Sequence, residues 1–304
     1  MANKLAWFLT DAGKRFSFYA ACAVSTSTAL VHFAPHTFFL DTYEEFLHLY
    51  KNGMAVQLTD KLKQRFQKTL DILEVKKADQ HLYKPFFAYG FDIISAGSAY
   101  SKFGAIIGLP YYFTHESTSD IDKSKIKLSD ETIIWDKEEA QQLLDSLVMS
   151  ENGQLYAMAK EILYRQSPKP LLDMCFATMS IIGLYGTSRH LNTKFDLYSR
   201  PIQLRLAMYY FVAMFMYGVY IMSKDTTQIF AEERIDKKLK QIDPRFAEGG
   251  AEYYRKVLQR NIALRTLMGS EGERRFSITG NENTFLRTRN LPLVHRKSIF
   301  DETQ

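Results

Sequence analysis

The chain reads as a mainly α-helical membrane protein of α+β class, with a small β-meander, a central transmembrane helical hairpin and an N-terminal transmembrane helix. Three observations carry this. Leu171 to Thr187 is apolar with one charge, Asp173, and Leu206 to Met222 has none; a short basic stretch separates them. Each is about 17 residues, or about 26 Å as a helix, against a hydrocarbon core of about 30 Å. Phe16 to Leu40 holds no Asp, Glu, Lys or Arg. Residues 86–113 are rich in aromatic and β-branched types and punctuated by glycines, a strand and turn signature. Both hairpin halves lie at the short end of the spanning range, so a buried helix pair in a soluble protein is the competing reading. Length and charge exclusion favour the membrane.

Bulk properties agree. The 304 residues are 46% hydrophobic and 14% aromatic, yet the mean hydropathy is only −0.23. The apolar residues are therefore concentrated in a few segments with polar regions between them, which excludes a many-pass transporter. A net charge of +5 suits an anionic membrane surface and is too scattered for a nucleic-acid partner. Cys22 and Cys175 both fall inside apolar segments, with no CxxC pattern and no disulfide framework.

Residues 1–15 form a basic flank with Lys4, Lys14 and Arg15, which an import signal would overlap, although Asp11 is unusual there. Residues 16–40 are expected to cross the membrane as an uncleaved anchor. A signal anchor and a cleavable secretory signal are the alternatives, because Ser25 to Thr28 dilute the apolar run. Residues 41–168 form a soluble α+β region. In it, 41–80 read as helical from Tyr43, Phe46, Leu47 and Tyr50, then Leu58, Leu62, Phe66, Leu70 and Leu73. The meander or hairpin over 86–113 follows, then a polar loop from His115 to Asp130, an edge strand from Thr132 to Trp135, and helices over 137–148 and 152–166. Ser150 is the expected N-cap of the second, and Ser167-Pro168 ends it.

The hairpin occupies 169–223, with spans 171–187 and 206–222. Residues 224–304 form a C-terminal region expected to pack on 41–168. It comprises a helix from Thr226 to Ile242, a break at Gly249-Gly250, a helix from Ala251 to Met268 and a loose basic tail. Arg274, Arg275, Arg287, Arg289, Arg296 and Lys297 of that tail read as solvated or facing headgroups. With three spans, the basic flank and the basic hairpin loop (Arg189, Lys194, Arg200) share one side, as the positive-inside rule prefers. Segments 41–168 and 224–304 then share the other side. With two spans they still share a side, but which side is open.

Candidate chemistry is sparse. His115-Glu116 would need a histidine at position 119 to place two imidazoles on one helix face, and Ser119 stands there. His32 and His36 have the right spacing, but Pro35 interrupts them. A subtler order spans the hairpin. A glycine-bearing β segment is followed by a helix with Lys160-Glu161-Ile162-Leu163-Tyr164, the apolar hairpin, and a helix with Glu232 and Asp236. This order resembles membrane zinc peptidases of the HtpX type, with HExxH on one helix and ExxxD on a later one. The resemblance implies a degenerate metallopeptidase-like core. Glu161 would stand at the general base, Lys160 and Tyr164 at the two histidine ligands, and Glu232 and Asp236 in ExxxD. A protonated lysine cannot ligate zinc, so the resemblance implies a pseudo-peptidase without metal or other cofactor. The plainer reading of the same residues is two amphipathic helices with solvated charges.

A second resemblance covers more of the chain. Tyr83-Lys84-Pro85-Phe86, Ser95-Ala96-Gly97, Ile107-Gly108-Leu109-Pro110 and the Ala159-Lys160-Glu161 helix are similar to the transmembrane protein 177 family. So is the long ungapped block Gly249-Gly250-Ala251-Glu252-Tyr253-Tyr254 with Asn261 and Arg265. The resemblance implies a multi-pass protein of the mitochondrial inner membrane without catalytic residues. It also implies partners: newly made cytochrome c oxidase subunit 2 and its assembly chaperones. The mechanism it suggests is holding, in which hairpin helices shield a partner's spans and the two soluble segments dock its soluble part.

Overall fold

The computed structural model describes residues 7–126, 128, 133–285 and 287–301. The chain forms two compact units, Met1–His36 with Lys169–Thr227, and Thr37–Pro168 with Gln228–Gln304. The first unit is helical. Its α1 (Asp11–Phe33) starts at Thr10, whose hydroxyl accepts from the Gly13 N–H at 3.2 Å. It gives way to a 3₁₀ turn, Ala34–His36, where Pro35 removes a backbone donor. The expected span over 16–40 is thus shifted towards the N-terminus, and Leu40 already opens another helix.

The other long apolar helices are α7 (Lys169–Lys194) and α8 (Ile202–Ile242). All three are long and apolar enough to cross a membrane, with only 6% of each apolar stretch buried. The helix α1 packs along α7. His32 Nε2 lies 3.3 Å from the Tyr220 hydroxyl, and Asn192 Nδ2 donates to the Tyr209 hydroxyl at 2.8 Å. The spans 206–222 and the helix 226–242 are one element. Ser223 to Thr226 contain neither Gly nor Pro, so nothing interrupts the backbone ladder. At 1.5 Å per residue α8 is about 60 Å long, twice a hydrocarbon core, so its last turns stand clear of the apolar stretch.

The second unit is α+β. The segment expected to be helical over 41–80 is interrupted. Between α2 (Leu40–Leu47) and α3 (Asp60–Ile72) lies a minimal hairpin, β1 (Tyr50–Lys51) and β2 (Met54–Ala55). Its turn is Asn52-Gly53, with φ of +53° and +76°. That pair suits the mirror-image turn that matches strand twist. After the short α4 (Lys77–Gln80) come β3 (Tyr83–Ala88), β4 (Ile94–Ser98) and β5 (Gly104–Pro110). Their order is β3-β5-β4, with β3 parallel to β5 and β4 antiparallel to it. The expected hairpin is present as β4–β5, but the sheet is mixed and no meander. Of the expected edge strand over 132–135, Thr132 lies outside the described residues and Ile133 to Trp135 are not in a strand.

Helices α5 (Glu138–Leu147) and α6 (Glu151–Gln166) lie where the periodicity puts them. Ser150 caps α6 by accepting from the Gly153 N–H at 3.2 Å. The helix α6 is the centre of the unit: Leu155 to Ala159 are all fully buried, against Phe87, Leu109, Leu239, Phe246 and Tyr254. Two expectations fail in the C-terminal region. Gly249-Gly250 does not break the chain, because α9 (Pro244–Leu267) runs through it. The glycines serve close approach instead: a Cβ on Gly249 would sit 2.1 Å from the Asn152 carbonyl oxygen, and one on Gly250 2.6 Å from the Phe300 ring. The tail is also not loose. It contains α10 (Gly269–Arg275) and α11 (Leu293–Asp301), with Arg296 and Ile299 buried.

Candidate functional site

Four elements of the second unit converge on one cavity of about 300 Å³. Strand β4 supplies Ser95, α6 supplies Lys160, Glu161, Tyr164 and Arg165, the end of α8 supplies Gln228 and Glu232, and α11 supplies Arg296. Helical spacing explains the grouping. Lys160 and Tyr164, and separately Gln228, Glu232 and Asp236, recur every four residues and so share a face.

The polar groups form two networks. Ser95 Oγ donates to Glu161 Oε2 at 2.5 Å, the other carboxylate oxygen lies 3.2 Å from Lys160 Nζ, and Arg165 Nε donates to Ser95 Oγ at 2.8 Å. Tyr164 Oη donates to Gln228 Oε1 at 2.5 Å, and Gln228 Nε2 donates to Glu232 Oε1 at 2.8 Å. Glu232 Oε2 accepts from the Leu291 N–H at 2.8 Å and lies 3.5 Å from Arg296 Nη1. Behind it, Asp236 is fully buried and takes a bidentate pair from Arg296, Nε to Oδ2 at 2.7 Å and Nη2 to Oδ1 at 2.9 Å. The hydroxyls of Tyr156 and Tyr254 add bonds to Asp236 at 2.6 and 3.1 Å.

The electrostatics follow. Burial disfavours the Glu161 charge, but Lys160 and the Ser95 hydroxyl outweigh it, so its pKa falls below the ordinary glutamate value. Burial likewise works against the Lys160 charge, but the neighbouring Tyr253 phenol and the Glu161 carboxylate outweigh it and hold its pKa above the ordinary lysine value. Burial pushes the Tyr156 and Tyr254 hydroxyls well up, so both stay protonated donors. Lys160 and Arg296 also lie over the Tyr253 and Tyr254 rings, each 5.0 Å from the centroid.

All five positions of the peptidase resemblance thus sit together: Lys160, Glu161, Tyr164 and Glu232 line the cavity, and Asp236 is sealed behind Arg296. The solvated-charge reading fails for these residues, because Glu232 and Asp236 are buried and Lys160 and Glu161 nearly so, each against a partner. Arg296 leaves the set of solvated tail cations for the same reason. Among the described residues, no group of three or more His, Cys, Asp or Glu could hold a metal ion. Where zinc ligands would converge, cationic side chains occupy the carboxylates.

Sequence reasoning missed Ser95, Tyr156, Arg165 and Arg296 as members of the network. For Arg296 a signal existed: Leu293, Ile299 and Phe300, at −3, +3 and +4, set it among apolar residues on one helix face. Tyr156 was hidden in an apolar run.

The family-motif residues are mostly structural. Tyr83 and Phe86 are buried, Pro85 is half-buried in the same strand, and Lys84 pairs with Asp41 at 3.0 Å. Gly97 pairs with Ala105, Gly108 sits in the register between Phe86 and Ile94, and Pro110 ends β5. Glu252 accepts from the Ser150 N–H at 3.0 Å and from its hydroxyl. Asn261 donates to the Gly280 carbonyl at 2.9 Å, and Arg265 faces Glu273 at 3.6 Å.

Three helices long and apolar enough to cross a membrane, joined to an α+β unit with a buried ion-pair network, define the class: a membrane protein with three candidate spans whose α+β unit pairs its buried charges with one another. The family model described as transmembrane protein 177 matches residues 48–296, and the chain belongs to that family. It is 30% identical over 270 residues to transmembrane protein 177 of Xenopus laevis, covering 88% of this chain and 85% of the relative. To the Mus musculus protein of the same name it is 30% identical over 267 residues, 87% and 85% of the two chains. To the Homo sapiens protein it is 27% identical over 262 residues, 85% and 83%. No solved structure matches the chain significantly.

Proposed function

We propose that this protein is a non-enzymatic assembly factor of the mitochondrial inner membrane, one that stabilises newly made cytochrome c oxidase subunit 2 together with its chaperones. The observation that carries the reading is the uncovered apolar surface of the spans. Phe211, Phe215 and Tyr210 of α8 are 70%, 67% and 62% exposed. Such surface is covered by lipid or by a partner's helices, and in lipid it is close packing that favours the partner. A holding function needs such surface and needs no reactive group. With the basic flanks in the matrix, the α+β unit lies in the intermembrane space, where a soluble domain of the partner would dock.

Crosslinking in intact mitochondria, followed by identification of the partners, tests this. Recovery of oxidase subunit 2 or its assembly factors supports it, and their absence refutes it. The second reading, a membrane metallopeptidase-like protein with atypical metal-dependent activity, is favoured by Glu161 and Glu232 lining one cavity. Stoichiometric zinc in the purified protein, lost in Glu161→Gln and in Glu232→Ala, would establish it over the first.

A further inference from the structure

Aromatic side chains crowd the exit of the first span. That span runs to His36, so Phe38 and Phe39 lie within about 11 Å of its end even if fully extended. The headgroup region flanking the hydrocarbon core is about 5–8 Å deep on each side, so Phe38, within about 7 Å of that end, falls inside it, with Phe39 next to it. They are exposed, 70% and 59%. The ring of Phe38 meets that of Phe103 edge-on, with centroids 5.6 Å apart. Phe103 belongs to the turn joining β4 to β5, as does the exposed Tyr100. Ring contact with Phe38 therefore carries that turn to the same depth, although it is remote in sequence. Lys102, at the head of the turn with φ of +62°, reaches back to Asp79 at 2.7 Å, leaving the tip aromatic. The flanking lysines are matched by acids, Lys84 by Asp41 and Lys102 by Asp79, and Glu44 and Glu45 follow on α2, so the patch has no basic excess for anionic headgroups.

We propose that Tyr100 and Phe103, with Phe38 and Phe39, form an aromatic foot that inserts into the interfacial zone of the bilayer and gives the α+β unit a membrane contact of its own. Aromatic rings favour this zone because an apolar body and a polarisable face suit its graded polarity. With its flanking lysines paired to acids, the contact is apolar in character and indifferent to anionic lipid.

The test uses the full-length protein in phosphatidylcholine vesicles, with Trp7→Phe and Trp135→Phe as background. Phe103→Trp is compared with Tyr89→Trp. Tyr89 is exposed beyond the end of β3, where Ala88 pairs with Pro110, about 20 Å along the strands from the turn. Lipids brominated near the headgroup should quench the tryptophan at 103 several-fold more than that at 89, equally with and without anionic lipid. Equal quenching at the two positions, or quenching at 103 that needs anionic lipid, would overturn the proposal. Should the tryptophan variant fail to fold, a nitroxide on Phe103→Cys in a background lacking Cys22 and Cys175 gives an independent reading. Greater accessibility to oxygen than to a nickel chelate supports insertion, and the reverse overturns it.

Discussion

Replacing Arg296 with methionine would strand a carboxylate in the centre of the α+β unit. Asp236 is fully buried and receives two charge-assisted bonds from the guanidinium, at 2.7 and 2.9 Å. Removing one partner of a buried pair typically costs about 3–5 kcal/mol, because the remaining charge is left without compensation. Here the Tyr156 and Tyr254 hydroxyls still bond to Asp236, which places the cost at the lower end, about 3 kcal/mol. For a unit of about 200 residues that lowers the unfolding midpoint by about 6–12 °C. The assay is thermal unfolding in detergent, with Asp236→Asn and the double variant completing a mutant cycle. Asn removes the stranded charge, so the double variant should recover part of the loss and show a coupling of about 2 kcal/mol. A midpoint shift under 2 °C for Arg296→Met, or strict additivity in the cycle, would refute the claim that this pair closes the core.

The acid side of the stability profile should depend on Glu161. Its folded pKa is depressed, so it adds stability that is present above the ordinary glutamate value near 4.3 and is lost as pH falls through the folded value. Glu161→Gln should therefore flatten the midpoint against pH below about 4.5, and an unchanged acid slope would contradict this. Gly249→Ala drives a Cβ to 2.1 Å from the Asn152 carbonyl oxygen and should cost about 1–3 kcal/mol. Gly186→Ala in α7 meets nothing within 4 Å and should change stability by no more than about 1 kcal/mol. Similar unfolding midpoints for the two would discount the close approach. Ser150→Ala removes the cap of α6 and a bond to Glu252 and should cost about 1–2 kcal/mol, read by urea titration.

What the sequence made legible follows from the strength of local signals. Long uncharged runs have one physical explanation, so all three helices long and apolar enough to cross a membrane could be read directly, but the end of a charge-free run is not the end of a helix, and α8 continues from 222 to 242 without a break. The cap of Ser150 and the helix after it could be read for the same reason. Strand positions in β4 and β5 were legible, but the parallel pairing of β3 was not, since register between remote strands leaves no local mark. Asn52-Gly53 is a local turn signal that the helical reading of 41–80 left out, because the spacing of Leu58 to Leu73 dominates that segment. Gly249-Gly250 misled because a glycine pair signals a break when judged alone, whereas its use here is set by Asn152 and Phe300 from other helices. The charged cluster was legible as a set of positions. That its members are buried depended on Arg296, which arrives from the C-terminal tail.

Charge balance is what gives the cluster its character. Glu161, Glu232 and Asp236 carry three negative charges, and Lys160, Arg165 and Arg296 carry three positive ones. The network is neutral as it stands, and its acceptors are already matched to donors. A divalent cation held by Glu161 and Glu232 would add two charges to a low-dielectric interior and would have to displace Lys160 or Arg296 from their carboxylates. An arginine cannot shed its proton at accessible pH, and Lys160 is held above its ordinary value. Turning this cluster into a metal centre would therefore mean changing cations as well as restoring ligands, because its basic residues already supply the positive charge that a metal would bring.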